Sequence, residues 1–296
     1  MANRLTKTLI GAALIGLSGL SLGTVAMAAG GGKSDHKMEH QDWGFNGMFG
    51  TYDRLAVQRG YQVYREVCAA CHALEHLSFR HLGEKGGPYY NPKTPNPNDN
   101  VEVKALANDW LIPDIDGETG DPIERPGIPA DKFPDIYPNE PAARASNGGA
   151  LPPDLSVITK ARTGGADYIY DLLVSYKDMP HEYKMKDGVE YEMPIGMNYN
   201  PAFEGSEIAM AAPLVDDIIE YASITVSDGH GGTETIEAPA ATVEQLSRDV
   251  TEFLAWAGDP KMEVRKKIGF SVFLFLFIFS ALMFATYKNI WRDVEH

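Results

Sequence analysis

Apolar positions recur with a helical period in only a few stretches of this chain. Residues 51–71, TYDRLAVQRGYQVYREVCAAC, place Leu55, Val63, Val67 and Cys71 near one face at steps of four and eight. That spacing predicts a helix capped by Thr51. Gly60 inside it costs about 1 kcal/mol against alanine, so the position suits close approach of another helix. Residues 242–260, TVEQLSRDVTEFLAWAGDP, carry the clearest period. Val243, Leu246, Val250, Phe253, Leu254 and Ala257 form one stripe, Thr242 and Gln245 form a capping box, and Gly258 and Pro260 end the helix. These two helices are expected to cross and close one core. Between them, Asp154 or Ser156 caps a short helix that Gly164-Gly165 ends, and Ala166 to Tyr176 forms another. The two alternating runs of SITVSDGHGGTETI, around Asp-Gly and Gly-Gly, predict a small hairpin.

Both ends of the chain are apolar in a different way. MANRLTKTLIGAALIGLSGLSLGTVAMAAGGG has Arg4 and Lys7, then an apolar run, then Ala26-Met27-Ala28. This is the layout of a secretory signal peptide over residues 1–28. The apolar run is short and rich in Gly and Ser for a full membrane span. Residues 29–50 are expected to be a flexible exported segment. At the other end, residues 268–287, IGFSVFLFLFIFSALMFATY, are twenty residues without a charge. They are apolar on every face and span roughly 30 Å as a helix, the hydrocarbon thickness. Cations flank them on both sides, so the positive-inside rule does not orient the span. The signal does: residues 51–260 lie in the periplasm, and residues 288–296 stay in the cytoplasm.

Eleven of nineteen prolines lie between Pro88 and Pro141, and no apolar period survives over residues 83–154. This tract reads as ordered loop or solvated surface, with no second core. Within it stand Asp109, Asp114, Asp116, Glu118, Asp121 and Glu124, either a solvated face or a docking patch for a basic protein. The net charge is −15, and loss of Arg4 and Lys7 with the signal takes it to −17. Such a charge argues against nucleic acid and anionic lipid surfaces, and it favours a cationic partner.

The only two cysteines are Cys68 and Cys71, in CAACH. A disulfide here would close a tiny ring and stabilise little. A zinc site needs four ligands; with three at hand, two of them adjacent in sequence, it would have to borrow a distant histidine. A thioredoxin-like pair opens a helix after a strand, whereas this pair ends a helix. Cys-x-x-Cys-His is the attachment motif of c-type haem: two thiols add to the two vinyl groups, and His72 follows as the axial ligand of the iron. One covalently bound haem is therefore the expected cofactor. A methionine sixth ligand raises the potential of such a haem. Position alone leaves Met193, Met197 and Met210 level, since methionine is more often a core filler than a ligand.

These residues resemble the cytochrome c1 family, the haem subunit of the cytochrome bc1 complex, in its bacterial form. The resemblance rests on QRGYQVYREVCAACHAL followed by SFRHL, on RPGIPADKFPDIYPNEPAARASNGGALPPDLS, on ARTGGADYIYDLL and on MNYNPAFEGSEIAMAAPL. It covers nearly the whole exported chain, in family order. It implies a mainly α, class I cytochrome c fold with long loop insertions plus one C-terminal transmembrane helix. It implies Met210 as the sixth ligand, although Ala212 stands where many members have a second proline. It implies Arg162 and Tyr168 as partners of the haem propionates, Asn147 as a polar neighbour, and Pro153 as the residue on the proximal side whose carbonyl orients His72. The extra cysteine pair of some bacterial members is absent.

The function so implied is electron transfer in a respiratory or photosynthetic chain at the bacterial inner membrane. Electrons would pass from the Rieske iron–sulfur protein to a basic soluble or anchored cytochrome c, in a quinol–cytochrome c oxidoreductase that includes cytochrome b. A free membrane-anchored cytochrome c serving an oxidase shares haem, anchor and acidity, but has no need of a large proline-rich loop. A peroxidase would need an open sixth position, and a haem sensor a second domain.

Overall fold

The computed structural model describes residues 36–184, 190–227 and 233–294. The expected signal peptide lies outside these residues, as does the Asp-Gly/Gly-Gly turn of the predicted hairpin. The fold is mainly helical. Helix α1 (Arg54–Glu66) runs into a short 3-10 turn at Cys68–Ala70, followed by α2 (Phe79–Gly83), a second 3-10 turn at Pro97–Asp99 and α3 (Val101–Asn108). Strands β1 (Leu111–Ile115) and β2 (Pro122–Pro126) form an antiparallel hairpin. Four short helices follow: α4 (Glu140–Ser146), α5 (Ile158–Ala161), α6 (Gly165–Val174) and α7 (His181–Lys184). Two more antiparallel pairs, β3 (Asn198–Tyr199) with β4 (Glu207–Ile208) and β5 (Ile224–Ser227) with β6 (Thr233–Ile236), precede α8 (Val243–Gly258) and α9 (Met262–Ile290).

Helices α1 and α8 cross at Gly60. A Cβ there would lie 2.0 Å from the Asp249 carbonyl oxygen and 2.7 Å from Phe253 Cβ, so only glycine permits this approach. Right beside it, Arg59 clamps the buried Asp249 carboxylate with two bonds of 2.8 Å each. Around the crossing lie Tyr61, Tyr64, Phe79, Trp110, Phe133, Phe253 and Trp256, all buried. The rings of Phe79 and Phe133 stand 4.3 Å apart, and Trp110 meets Phe133 edge-on at 5.4 Å. The buried indole N–H groups are matched: Trp110 Nε1 donates to Tyr61 Oη, and Trp256 Nε1 to the Gly86 carbonyl.

Several expectations change in detail. The first helix is capped by Asp53, whose Oδ1 accepts from Leu55 N and Ala56 N; Thr51 does not cap it. It ends at Glu66, so the cysteines stand on the turn beyond it. The tract 83–154 is more than loop. It supplies α3, the β1–β2 hairpin and α4, and it sends Val103, Ala107, Trp110 and Phe133 into the shared core. Val157, without a side-chain bond, stands at the start of α5, because Asp154 and Ser156 are engaged elsewhere. Thr242 Oγ1 does accept from Gln245 N at the start of α8.

The segment expected to be flexible over residues 29–50 is held down from His36 onward. His36 Nε2 meets Asp171 Oδ2 at 2.6 Å, and His40 Nδ1 meets Asp167 Oδ2 at 2.8 Å. Trp43, 3% exposed, donates its indole N–H to Asp167 Oδ1. Two aspartates one turn apart on α6 thus fasten this segment. At the far end, Asp259 joins the end of α8 to α9 by accepting from Arg265, and to α5 by accepting from Lys160. Among the described helices, α9 alone is long and apolar enough to cross a membrane.

Candidate functional site: a haem-binding centre

The end of α1 sets the geometry of the cysteine motif. After Val67 the chain tightens, and the Cys68 carbonyl accepts from both Cys71 N and His72 N. Tyr64, fully buried, donates its hydroxyl to the His72 carbonyl at 2.9 Å and ties the end of the motif back to α1. Both thiols are unpaired. Burial, and then the charge of Cys71, push the Cys68 thiol up to about 12. A thiol held neutral in this way is a poor redox nucleophile. Cys68 packs against the hydrophobic core instead.

His72 is aimed by a strap far away in sequence. Its Nδ1 lies 2.8 Å from the Pro153 carbonyl, so Nδ1 carries the proton and Nε2 keeps its lone pair. Burial lowers the imidazole's proton affinity below its ordinary value, against the pull of the Pro153 carbonyl and Asp154. The ring is neutral at pH 7, the form that binds a metal. Three more bonds zip the strap 153–156 onto residues 73–76. Leu155 N donates to the Ala73 carbonyl, Glu75 N to Asp154 Oδ2, and His76 N to Ser156 Oγ. Asp154 Oδ1 also takes Ser156 N, which keeps the strap bent. The positioning role of Asp154, Ser156 and Tyr64 was not read from the sequence. PPDLS carried the signal, but in the form of a helix cap.

The other expected site residues stand as follows. Arg162 is exposed at the end of α5, and among the described residues its guanidinium makes one long bond, 3.4 Å, to the Ala161 carbonyl. It lies close enough to Tyr168 to oppose the rise that burial imposes on that phenol. Tyr168 itself packs against the core. The Met210 carbonyl accepts from Tyr176 Oη at 3.0 Å, which fixes the backbone of that residue. Met193 and Met197 flank a turn in which Met197 N bonds the Pro194 carbonyl and Ile195 is fully exposed. Asn147 is turned inward on its own helix end: its Nδ2 bonds Tyr137 Oη and the Ala143 carbonyl. A cleft of about 460 Å³ lies between α1 and α8, lined by residues such as Arg59, Arg248 and Glu252 and by none of those above.

These residues fit a haem. Two unpaired thiols with two residues between them suit the vinyl groups, the imidazole offers an unprotonated nitrogen, and the loosely held Arg162 beside Tyr168 suits a carboxylate. The comparison with known proteins agrees. A sequence model described as the Cytochrome C1 family matches residues 43–294. The chain belongs to the cytochrome c1 family. That family is the haem subunit of the cytochrome bc1 complex. The chain is 37% identical over 304 residues to cytochrome c1 of Rhodospirillum rubrum, covering 100% of both. It is 42% identical over 253 residues to "Cytochrome c1, heme protein, mitochondrial" of Saccharomyces cerevisiae, covering 86% of this chain and 72% of that one. To "Cytochrome b/c1" of Bradyrhizobium diazoefficiens it is 43% identical over 294 residues, which is 95% of this chain but 39% of that protein. The cytochrome c1 match thus extends from the buried Trp43 to the end of the apolar helix.

Proposed function

We propose that this chain is the c-type haem subunit of a quinol–cytochrome c oxidoreductase, anchored in a bacterial inner membrane with its haem domain in the periplasm. In this reading it stands between a Rieske iron–sulfur protein and a cytochrome c, with cytochrome b as its membrane partner. The observation that carries the reading is the CAACH turn with His72 Nδ1 held by the Pro153 carbonyl, in a chain of this family. A bound haem supplies a one-electron couple.

Each residue has a defined task around that group. Cys68 and Cys71 would attach it, and His72 would present Nε2 to the iron. Met210 would offer a soft thioether, which raises the potential. Arg162 and Tyr168 would serve the propionates, where a guanidinium offsets their charge. Asn147 braces the end of α4. Pro153 fixes the tautomer and plane of His72, as an outer-sphere acceptor does for a metal-bound histidine.

The acidic hairpin supports the choice of a basic electron acceptor. Its register sets Leu111, Ile115 and Glu124 on one face, with Asp114 and Arg125 on the other. Leu111 is 60% and Ile115 68% exposed, and Glu118, Asp121 and Glu124 surround them. An apolar centre with an acidic rim suits a basic protein that docks briefly. Asp114 is less available for this than the sequence suggests, since Arg125 pairs with it and with Asp131.

The test is purification of the tagged full-length chain from gently solubilised membranes, with reduced-minus-oxidised spectra and a quinol–cytochrome c assay. The proposal expects a covalently bound c-type haem together with b-type haem and inhibitor-sensitive activity. A c-type haem alone, in a preparation that preserves complexes, would instead make the chain a free anchored carrier.

A further inference from the structure

Residues 44–51, GFNGMFGT, form a closed loop beside the start of α9. Thr51 N bonds the Gly44 carbonyl across its base, and Asn46 N bonds the Trp43 carbonyl inside it. Gly47 turns the tip with φ +74°, in open space. The root of the loop is packed: Phe45 stacks on Trp43 at 5.4 Å and leans on Tyr52 at 5.3 Å. The tip is not: Met48 is 63% and Phe49 78% exposed.

The loop is fastened to the anchor helix. Lys266 Nζ donates to the Phe45 carbonyl at 2.6 Å, with the Gly50 carbonyl at 3.4 Å. The Phe49 ring meets Phe270 edge-on, 6.0 Å between centroids. Phe270 lies three residues past Lys267, the last cation before the apolar run, which is about 4.5 Å of helix rise. Phe49 is thereby held at the depth where the charge-free part of α9 begins. A water-facing loop has no use for two adjacent large apolar side chains at that level.

We propose that this loop dips into the membrane surface and buries Met48 and Phe49 in the headgroup–acyl boundary, beside the first turn of the span. The inference rests on the reading of α9 as a membrane anchor. The continuity from Phe49 to Phe270 selects lipid as the occupant. Arg265 and Lys267 on the same helix suit the phosphates of the headgroup layer just above. Apolar side chains of interfacial segments settle about 5–10 Å into this boundary. A single helix crossing leaves a domain able to swivel. A second contact with the bilayer, tied to the span by Lys266 and to the haem domain through Trp43 and Asp53, would fix the tilt of that domain over the membrane.

The test uses the full chain in its native membranes, with p-benzoylphenylalanine in place of Phe49. Parallel chains carry it at Ile278, inside the span, and at Leu111, on the acidic hairpin. After irradiation, the haem-containing chain is analysed by mass spectrometry. The proposal expects lipid adducts at positions 49 and 278 and none at 111. Protein adducts alone at position 49 would overturn it in favour of a partner subunit, and no adduct there would overturn it in favour of water. Absence of lipid adducts at 278 would overturn the anchor reading itself, which separates the two failures.

Discussion

At the scale of the residue, the site is a local motif completed by a remote strap. The CAACH spacing is legible because attachment and ligation act over five neighbouring residues, and the Cys68 carbonyl closes that turn on its own. The partner of His72 is 81 residues away, and no local pattern announces a bond of that range. Asp154 illustrates the difficulty. An aspartate before an apolar residue is equally good as a helix cap or as a loop clasp, because both use the same carboxylate-to-backbone bond. It serves here as a clasp, for Glu75 N and Ser156 N. Met210 is the residue on which the proposed potential turns. Met210→Lys should leave haem covalently attached, since both cysteines and His72 are untouched. It should lower the midpoint potential by on the order of 0.1 V or more, a fraction of the roughly 0.8 V that axial ligands span. A redox titration measures this, and an unchanged midpoint would move the sixth ligand to Met193 or Met197.

At the scale of the element, the long periodic helices and the short pair α5 and α6 were readable, while α2, α3, α4 and α7 were not. The stripe of α8 predicts its burial, and Leu246, Val250, Phe253 and Leu254 are all in the core. Gly60 inside a helical period marks the crossing in the sequence itself. Gly60→Ala should destabilise the domain by about 1–3 kcal/mol, the usual cost of overpacking, because α1 and α8 would have to part to clear the Asp249 carbonyl. Denaturant unfolding measures this, and wild-type stability would mean that the helices slide apart freely. Helix α3 escaped notice because eight residues are too few to establish a period amid prolines. Its apolar pair Val103 and Ala107 stands one turn apart and is fully buried. Asn100, whose side chain accepts from Glu102 N and Val103 N, was the available signal for its start. The pinned segment from His36 was missed for a related reason: its fastening to Asp167 and Asp171 spans more than 120 residues.

At the scale of the whole molecule, the chain combines one aromatic core, one apolar helix and a strong negative charge. The balance of charge was legible from composition, and the hairpin now places part of it. Glu118, Asp121 and Glu124 are exposed there, while Asp116 is occupied in capping the turn through Glu118 N and Thr119 N. The central claim is that a haem held at residues 68–72 passes electrons to a basic cytochrome. The most direct measurement is rapid mixing of the quinol-reduced, purified complex with oxidised cytochrome c, following the c-type haem of this chain over a range of ionic strength. The account predicts that this haem is reoxidised as cytochrome c is reduced, at a rate that falls as salt screens the approach. A chain with Glu118, Asp121 and Glu124 changed to glutamine should be several-fold slower at low salt and match the wild type at high salt. A haem that stays reduced after mixing would contradict the account outright, and equal rates for both chains at every ionic strength would remove the hairpin as the docking face.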